Sequence, residues 1–64
     1  MEGSQLGNIL VQKGFIQQQM LKSPLERKEL SDTLRLTNKD YTNWAGSDDE
    51  LLIDYYGKQF DSIN

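Results

Sequence analysis

Two short stretches with the same capping pattern constrain what this chain can fold into more than any other feature. One is SPLE at 23–26 and the other is SDDE at 47–50. In each stretch a serine can accept a hydrogen bond from the first helical turn, and a glutamate three residues later can accept one from the serine backbone. Pro24 suits the first helical position, while Asp48 and Asp49 suit the positive end of a helix dipole. Helices are therefore predicted to begin near Pro24 and Asp48.

The first third of the chain also repeats its apolar residues at helical spacing, and no stretch of useful length alternates as a strand does. Leu6, Ile9 and Leu10 share one face of a first helix. Gly14 suits a C-terminal cap, so this helix is predicted to end near Lys13 and to be followed by a short second helix.

The last helix is predicted to carry one apolar face and to end early. That face consists of Leu51, Leu52, Tyr55 and Tyr56. Gly57 is the predicted stop, so 58–64 is expected to fray, as is 1–4. Together these patterns predict one all-α domain over residues 1–64, a small bundle of four or five short helices.

Composition limits the chemistry open to such a domain. The 64 residues include no cysteine and no histidine, which excludes disulfides and metal sites built from thiolates or imidazoles. Histidine and cysteine are therefore missing as general base and nucleophile, and the serines have no recognisable activating base. The acidic group at 48–54 lacks the ligand spacing of a calcium loop. We expect a non-enzymatic protein with no cofactor, no bound metal and no small-molecule substrate.

Charge and hydropathy bear on location and partners. No apolar run approaches the roughly 18 residues that cross a bilayer, and the N-terminus lacks the basic start of a secretory signal. We therefore expect a cytoplasmic protein. Its net charge is −3, with the acid concentrated after residue 30 and a locally positive stretch at 22–39. That stretch could face phosphate or could be an ordinary solvated helix surface.

The stretch from Glu29 to Trp44 places apolar residues where two helices crossing over a tight turn need them. The inward positions are Leu30, Leu34, Leu36, Tyr41 and Trp44. Ser31 is small where the helices would touch, and Thr37 can cap a second helix that begins near Asn38. This pattern predicts a helix-turn-helix-like centre or, alternatively, a helical corner with a polar outer face.

Over residues 27–46 this pattern resembles the helix-turn-helix of the Cro and phage-repressor family. The turn position that usually holds glycine is Arg35 here. The resemblance implies a DNA-binding transcriptional regulator, with its second helix in the major groove, and a homodimer. Phe60 and Ile63, beyond the predicted stop at Gly57, are predicted either to help form the self-contact or to belong to the frayed tail. The side chains predicted to contact DNA are Arg35, Thr37, Asn38, Lys39, Thr42 and Asn43.

A second resemblance covers residues 6–21, which are similar to the opening of the N-terminal helical domain of type II secretion and pilus-assembly ATPases. The matching residues are Leu6, Gly7, Leu10, Val11, Gly14, Ile16 and Leu21. In that family the domain docks onto a protein, so this resemblance implies a binding module. It also agrees with a helix break after Lys13.

The alternative to a DNA reader is an acidic helical module that inhibits or adapts a partner protein, for example one that handles nucleic acid. An acidic surface could compete for a basic site, and aromatic residues are frequent binding anchors. The residues predicted for this role are Asp48, Asp49, Asp54, Tyr55 and Tyr56. The sequence leaves DNA and a protein as alternative partners.

Overall fold

A computed structural model describes the backbone of residues 2–63 and the side chains of residues 7–62. Within that part of the chain there are three α-helices, α1 (Glu2–Gln19), α2 (Pro24–Thr37) and α3 (Asp48–Ile63). Residues 2–63 contain no strand. The all-α class is therefore confirmed, whereas the predicted count of four or five helices is wrong.

Both capping stretches act as the sequence predicts. At the start of α2, the Ser23 Oγ accepts from the Glu26 N–H at 3.2 Å, and the Ser23 N–H donates to the Glu26 Oε1 at 3.4 Å. At the start of α3, Ser47 and Glu50 make the same two bonds, each at 3.1 Å. The two helix starts predicted from these stretches are confirmed.

Two predicted helix ends are wrong, because Gly14 lies inside α1 and Gly57 lies inside α3. Neither glycine has the positive φ of a left-handed cap. A glycine inside a helix costs only about 1 kcal/mol relative to alanine, and packing beyond each glycine favours continuation. Phe15 and Ile16 follow Gly14 and pack against the core, and Phe60 follows Gly57 and is buried.

The predicted helix beginning near Asn38 is also wrong, and with it the helix-turn-helix-like centre. The Asn38 N–H donates to the Leu34 carbonyl at 2.8 Å and closes α2, while the Asn38 side chain accepts from the Asp40 N–H at 3.0 Å. The bonds that follow, from Tyr41 to Asn38 and from Trp44 to Tyr41, each close a single turn. Residues 38–47 therefore form a loop of turns.

Helix α3 is the element against which the others pack. Among the described residues, α1 and α2 each pack on α3, and no Cα atom of α1 lies within 8 Å of one in α2. The core cluster consists of Tyr41, Leu51, Leu52 and Tyr56. Three of these residues belong to α3, and Tyr41 comes from the loop. None of the described helices is both long and apolar enough to cross a membrane.

The C-terminal part of α3 is not the frayed tail that was predicted. Phe60 is buried, and its ring centroid lies 5.6 Å from that of Phe15 on α1. Gly57 lies beside Gln12 and Ile16 of α1. Phe60, predicted to help form a self-contact, thus packs against α1 within one copy of the chain, and the self-contact stays a prediction. The side chain of Ile63, like the side chains of 1–6, lies outside the described residues.

Candidate binding surface

Two arginines of α2 are held by carboxylates in the first turn of α3. The Arg27 Nε lies 3.1 Å from the Asp49 Oδ1. The Arg35 guanidinium forms an ion pair with Asp48 and donates to the Gly46 carbonyl at 3.2 Å. The hydrogen bond from Arg35 is the main reason that the pKa of Asp48 is lowered. Arg35, predicted to contact phosphate, thus stabilises the contact between α2 and α3.

Ser31 lies on α2 next to the Arg35 guanidinium. Its side chain is fully buried, its Oγ donates to the Lys28 carbonyl at 3.1 Å, and the Arg35 Nη1 donates to it at 3.4 Å. A small residue was predicted where two helices touch, and Ser31 is such a residue. The helix beside it is α3, since no helix forms in the loop.

The loop is held to α3 by Tyr41. This ring is 1% exposed, and its hydroxyl donates to the Asp54 Oδ2 at 2.7 Å. The Lys58 Nζ lies 3.3 Å from the same carboxylate and 4.9 Å from the Tyr41 ring centroid. Burial raises the pKa of Tyr41, and the tyrosine hydroxyl lowers the pKa of Asp54.

These contacts show where the residues predicted to bind a partner protein lie. Asp48, Asp49 and Asp54 are each bonded to a side chain of α2 or the loop. Tyr56 is buried in the core, and the half-buried Tyr55 stacks edge-on against it at 5.3 Å. Each of the five residues therefore takes part in a contact within the chain, while the Asp49 side chain stays 56% exposed.

The residues predicted to read DNA are spread along the end of α2 and the loop. The Thr37 hydroxyl donates to the Thr33 carbonyl at 2.8 Å, and Asn38 caps α2. Lys39, Thr42 and Asn43 are exposed among the turns. These residues do not share a helix face, because the segment that would carry them is not helical.

The side of α1 that points away from α3 is exposed to solvent and is here called the α1 outward face. It consists of Gly7, Leu10, Val11, Gly14, Gln17, Gln18 and Leu21, all of which are exposed. Leu10, Val11 and Leu21 are 67%, 60% and 82% exposed. Leu21 follows the end of α1 and stays on its last turn, because its N–H donates to the Gln18 carbonyl at 3.3 Å.

Part of the α1 outward face is concave. An open groove of about 630 Å³ is lined by Gly14, Gln17, Gln18, Met20 and Leu21. Nothing lies within 4 Å of the position that a Cβ on Gly14 would occupy, so no contact inside this chain requires glycine there. None of the residues that form the face is charged, and the neighbouring charges in sequence are Lys13, before Gly14, and Lys22, after Leu21.

The sequence contained a signal for this face that was interpreted differently. Gly7, Leu10, Gly14, Gln17 and Leu21 follow one another at alternating steps of three and four residues, the spacing of a helix seam that packs on another helix. The helix end predicted at Gly14 divides this pattern in two.

No family model, curated protein or solved structure matches the chain.

Proposed function

We propose that this chain is a non-enzymatic regulatory module that binds an apolar helix of a protein through the α1 outward face. The proposal depends on one observation, the combination of exposed Leu10, Val11 and Leu21 with a groove at Gly14. Contiguous exposed apolar surface marks interaction sites. An amphipathic helix binds such a groove through residues spaced three and four apart.

The chemistry of the face defines the kind of helix it fits. Apolar side chains can cover Leu10 and Leu21, and the amides of Gln17 and Gln18 can hydrogen-bond to polar groups at the margin. Lys13 is the only charged residue between Gly7 and Leu21. We therefore expect a partner helix with an apolar stripe and a neutral or acidic flank, because a basic flank would meet Lys13.

The DNA-binding alternative has weaker support. Lys39, Thr42 and Asn43 lie on a loop of turns. Cro and phage repressors carry their base-contacting residues on one helix. Arg27 and Arg35 already face carboxylates of α3, which reduces the positive potential available to phosphate. The net charge of −3 also disfavours binding to phosphate.

A photo-crosslinking experiment tests the proposal. A photoreactive amino acid replaces Leu10 in one variant and Leu36 in another, and each is irradiated in an extract of the source cells. Leu36 is the matched control, because it is an equally apolar side chain, 86% exposed, on α2. We expect one protein adduct at position 10, mapped by mass spectrometry to an amphipathic helical peptide, and none at position 36.

Competition and DNA binding complete the test. Unlabelled wild type should suppress the adduct at position 10, and unlabelled Leu21→Gln should not. Binding to a mixed DNA pool should be negligible at low salt, where phosphate contacts are strongest. Suppose instead that the chain binds DNA, that Lys39→Ala abolishes binding and that Asn43→Ala relaxes its sequence preference. These results would support the DNA-binding alternative. Equal adducts at positions 10 and 36 would contradict the proposed surface.

A further inference from the structure

We infer that a second copy of this chain occupies the α1 outward face, with the two α1 helices antiparallel and crossing at Gly14. The inference rests on the proposed function, because it names the occupant of the same face. It applies to the protein alone, so its test needs no other component.

The first argument is that the face is complementary to itself about Gly14. In an antiparallel pair centred there, Leu10 meets Gln18, Val11 meets Gln17 and Leu21 meets Gly7 of the other copy. Each bulky apolar side chain thus faces a glycine or a flexible amide, and no two bulky side chains coincide. The two helices can approach most closely at the crossing, where neither copy has a side chain.

The second argument comes from charge. All ten acidic residues lie outside the segment 7–21, and nine of them follow residue 22. Two copies meeting through α3, which carries five acidic residues and one lysine, would bring acidic surfaces together, which disfavours association. The α1 outward face has no carboxylate, so two copies with a net charge of −3 each can meet there without that repulsion.

The length of the face indicates how strong the pair is. Residues 7–21 span about 21 Å of helix. One helix face of this length buries less area than a standard-size protein interface, and small interfaces form weak, reversible complexes. We therefore infer an equilibrium between monomer and dimer rather than a permanent dimer. Because the dimer covers the face, a different protein helix must compete with the second copy for it.

Sedimentation equilibrium of the purified protein from micromolar to millimolar concentration tests for the dimer. We expect a concentration-dependent dimer in the wild type. Leu21→Gln should raise the dissociation constant by about tenfold or more, since burial of one leucine contributes that much. Leu36→Gln, a matched change at an equally exposed leucine of α2, should leave it unchanged. Circular dichroism checks that both variants remain helical. A wild type that is monomeric throughout would overturn the inference.

Disulfide trapping tests the register, because the chain has no cysteine of its own. In a glutathione redox buffer, an equal mixture of Leu10→Cys and Gln18→Cys should form the mixed dimer, while neither variant should pair strongly with itself. Leu36→Cys measures random collision. Self-pairing of Leu10→Cys above that level would indicate parallel helices and overturn the antiparallel pair. If no dimer forms but the photoreactive residue at position 10 captures another protein, this inference fails and the proposed function stands.

Discussion

Arg35 forms an ion pair with Asp48, and the same guanidinium donates to the carbonyl of Gly46. One side chain of α2 therefore contacts the first residue of α3 and the end of the preceding loop. Sequence reasoning had assigned these two residues to rival functions, Arg35 to DNA and Asp48 to a partner protein. In the folded chain they form an ion pair with each other.

Acid should weaken this contact. The pKa of Asp48 is lowered from its ordinary value of 3.8, so the pair stabilises the fold above pH 3.8 and is lost as the pH falls through the lower folded-state pKa. We expect the urea midpoint of the wild type to fall steeply in this acidic range. Asp48→Asn should lower the midpoint near neutral pH and flatten its acid dependence. Asp61→Asn, at an exposed position of α3, serves as the control, and an identical effect there would contradict the assignment.

Alkali should weaken the contact between the loop and α3. Tyr41→Phe removes the hydrogen bond to Asp54 and should lower the free energy of unfolding by about 1 kcal/mol at neutral pH. Because burial raises the pKa of Tyr41 from 10.0, its stabilising effect is present below pH 10 and is lost as the pH rises through the folded-state pKa. The variant should therefore lose less stability in alkali than the wild type does. Urea unfolding across that range measures this, with Tyr55→Phe as the control.

Loss of the α3 cap should cost stability without affecting the α1 outward face. Ser47→Ala removes the acceptor for the Glu50 N–H and should lower the free energy of unfolding by about 1 kcal/mol, whereas Ser47→Gly should cost only a few tenths of that. Thermal or urea unfolding followed by circular dichroism measures both. Equal costs for the two variants would show that the cap is not the cause.

Two glycines should respond to alanine in opposite directions. Gly14→Ala should raise the free energy of unfolding by about 1 kcal/mol through helix propensity, since a Cβ meets nothing within 4 Å. The same change should weaken the inferred dimer, because the Cβ enters the crossing. Gly46→Ala should destabilise the fold, because its Cβ would lie 2.9 Å from the Trp44 Nε1. Unfolding measured at protein concentrations below the dissociation constant of the dimer separates the effect on stability from the effect on association.

The features that could be predicted from the sequence are those decided within one helical turn. Ser23 and Ser47 cap helices through residues three positions away, so their roles are visible locally. Gly14 and Asn38 were misjudged because each permits a helix end or a helix start without requiring it. Whether α1 continues through Gly14 depends on Phe15 and the residues after it packing against α3, which is distant in sequence.

The candidate surface was harder to predict for a related reason. Exposure of Leu10 and Leu21 can be recognised only when it is known which side of α1 packs on α3. Likewise, the pairing of Arg35 with Asp48 joins residues 13 positions apart, and only the path of the loop brings them together. Charge patterns alone therefore suggested two binding sites where the folded chain has an internal contact.

The central position of α3 has a consequence for synthesis on the ribosome. Both α1 and α2 pack on α3, which is translated after them, and none of their described Cα atoms approach each other within 8 Å. Phe15, Ile16, Leu30 and Leu34, which pack against the core in the finished fold, therefore stay uncovered until α3 leaves the exit tunnel. The nascent chain is consequently a candidate for chaperone binding, and a premature stop early in α3 would leave two helices with nothing to pack against.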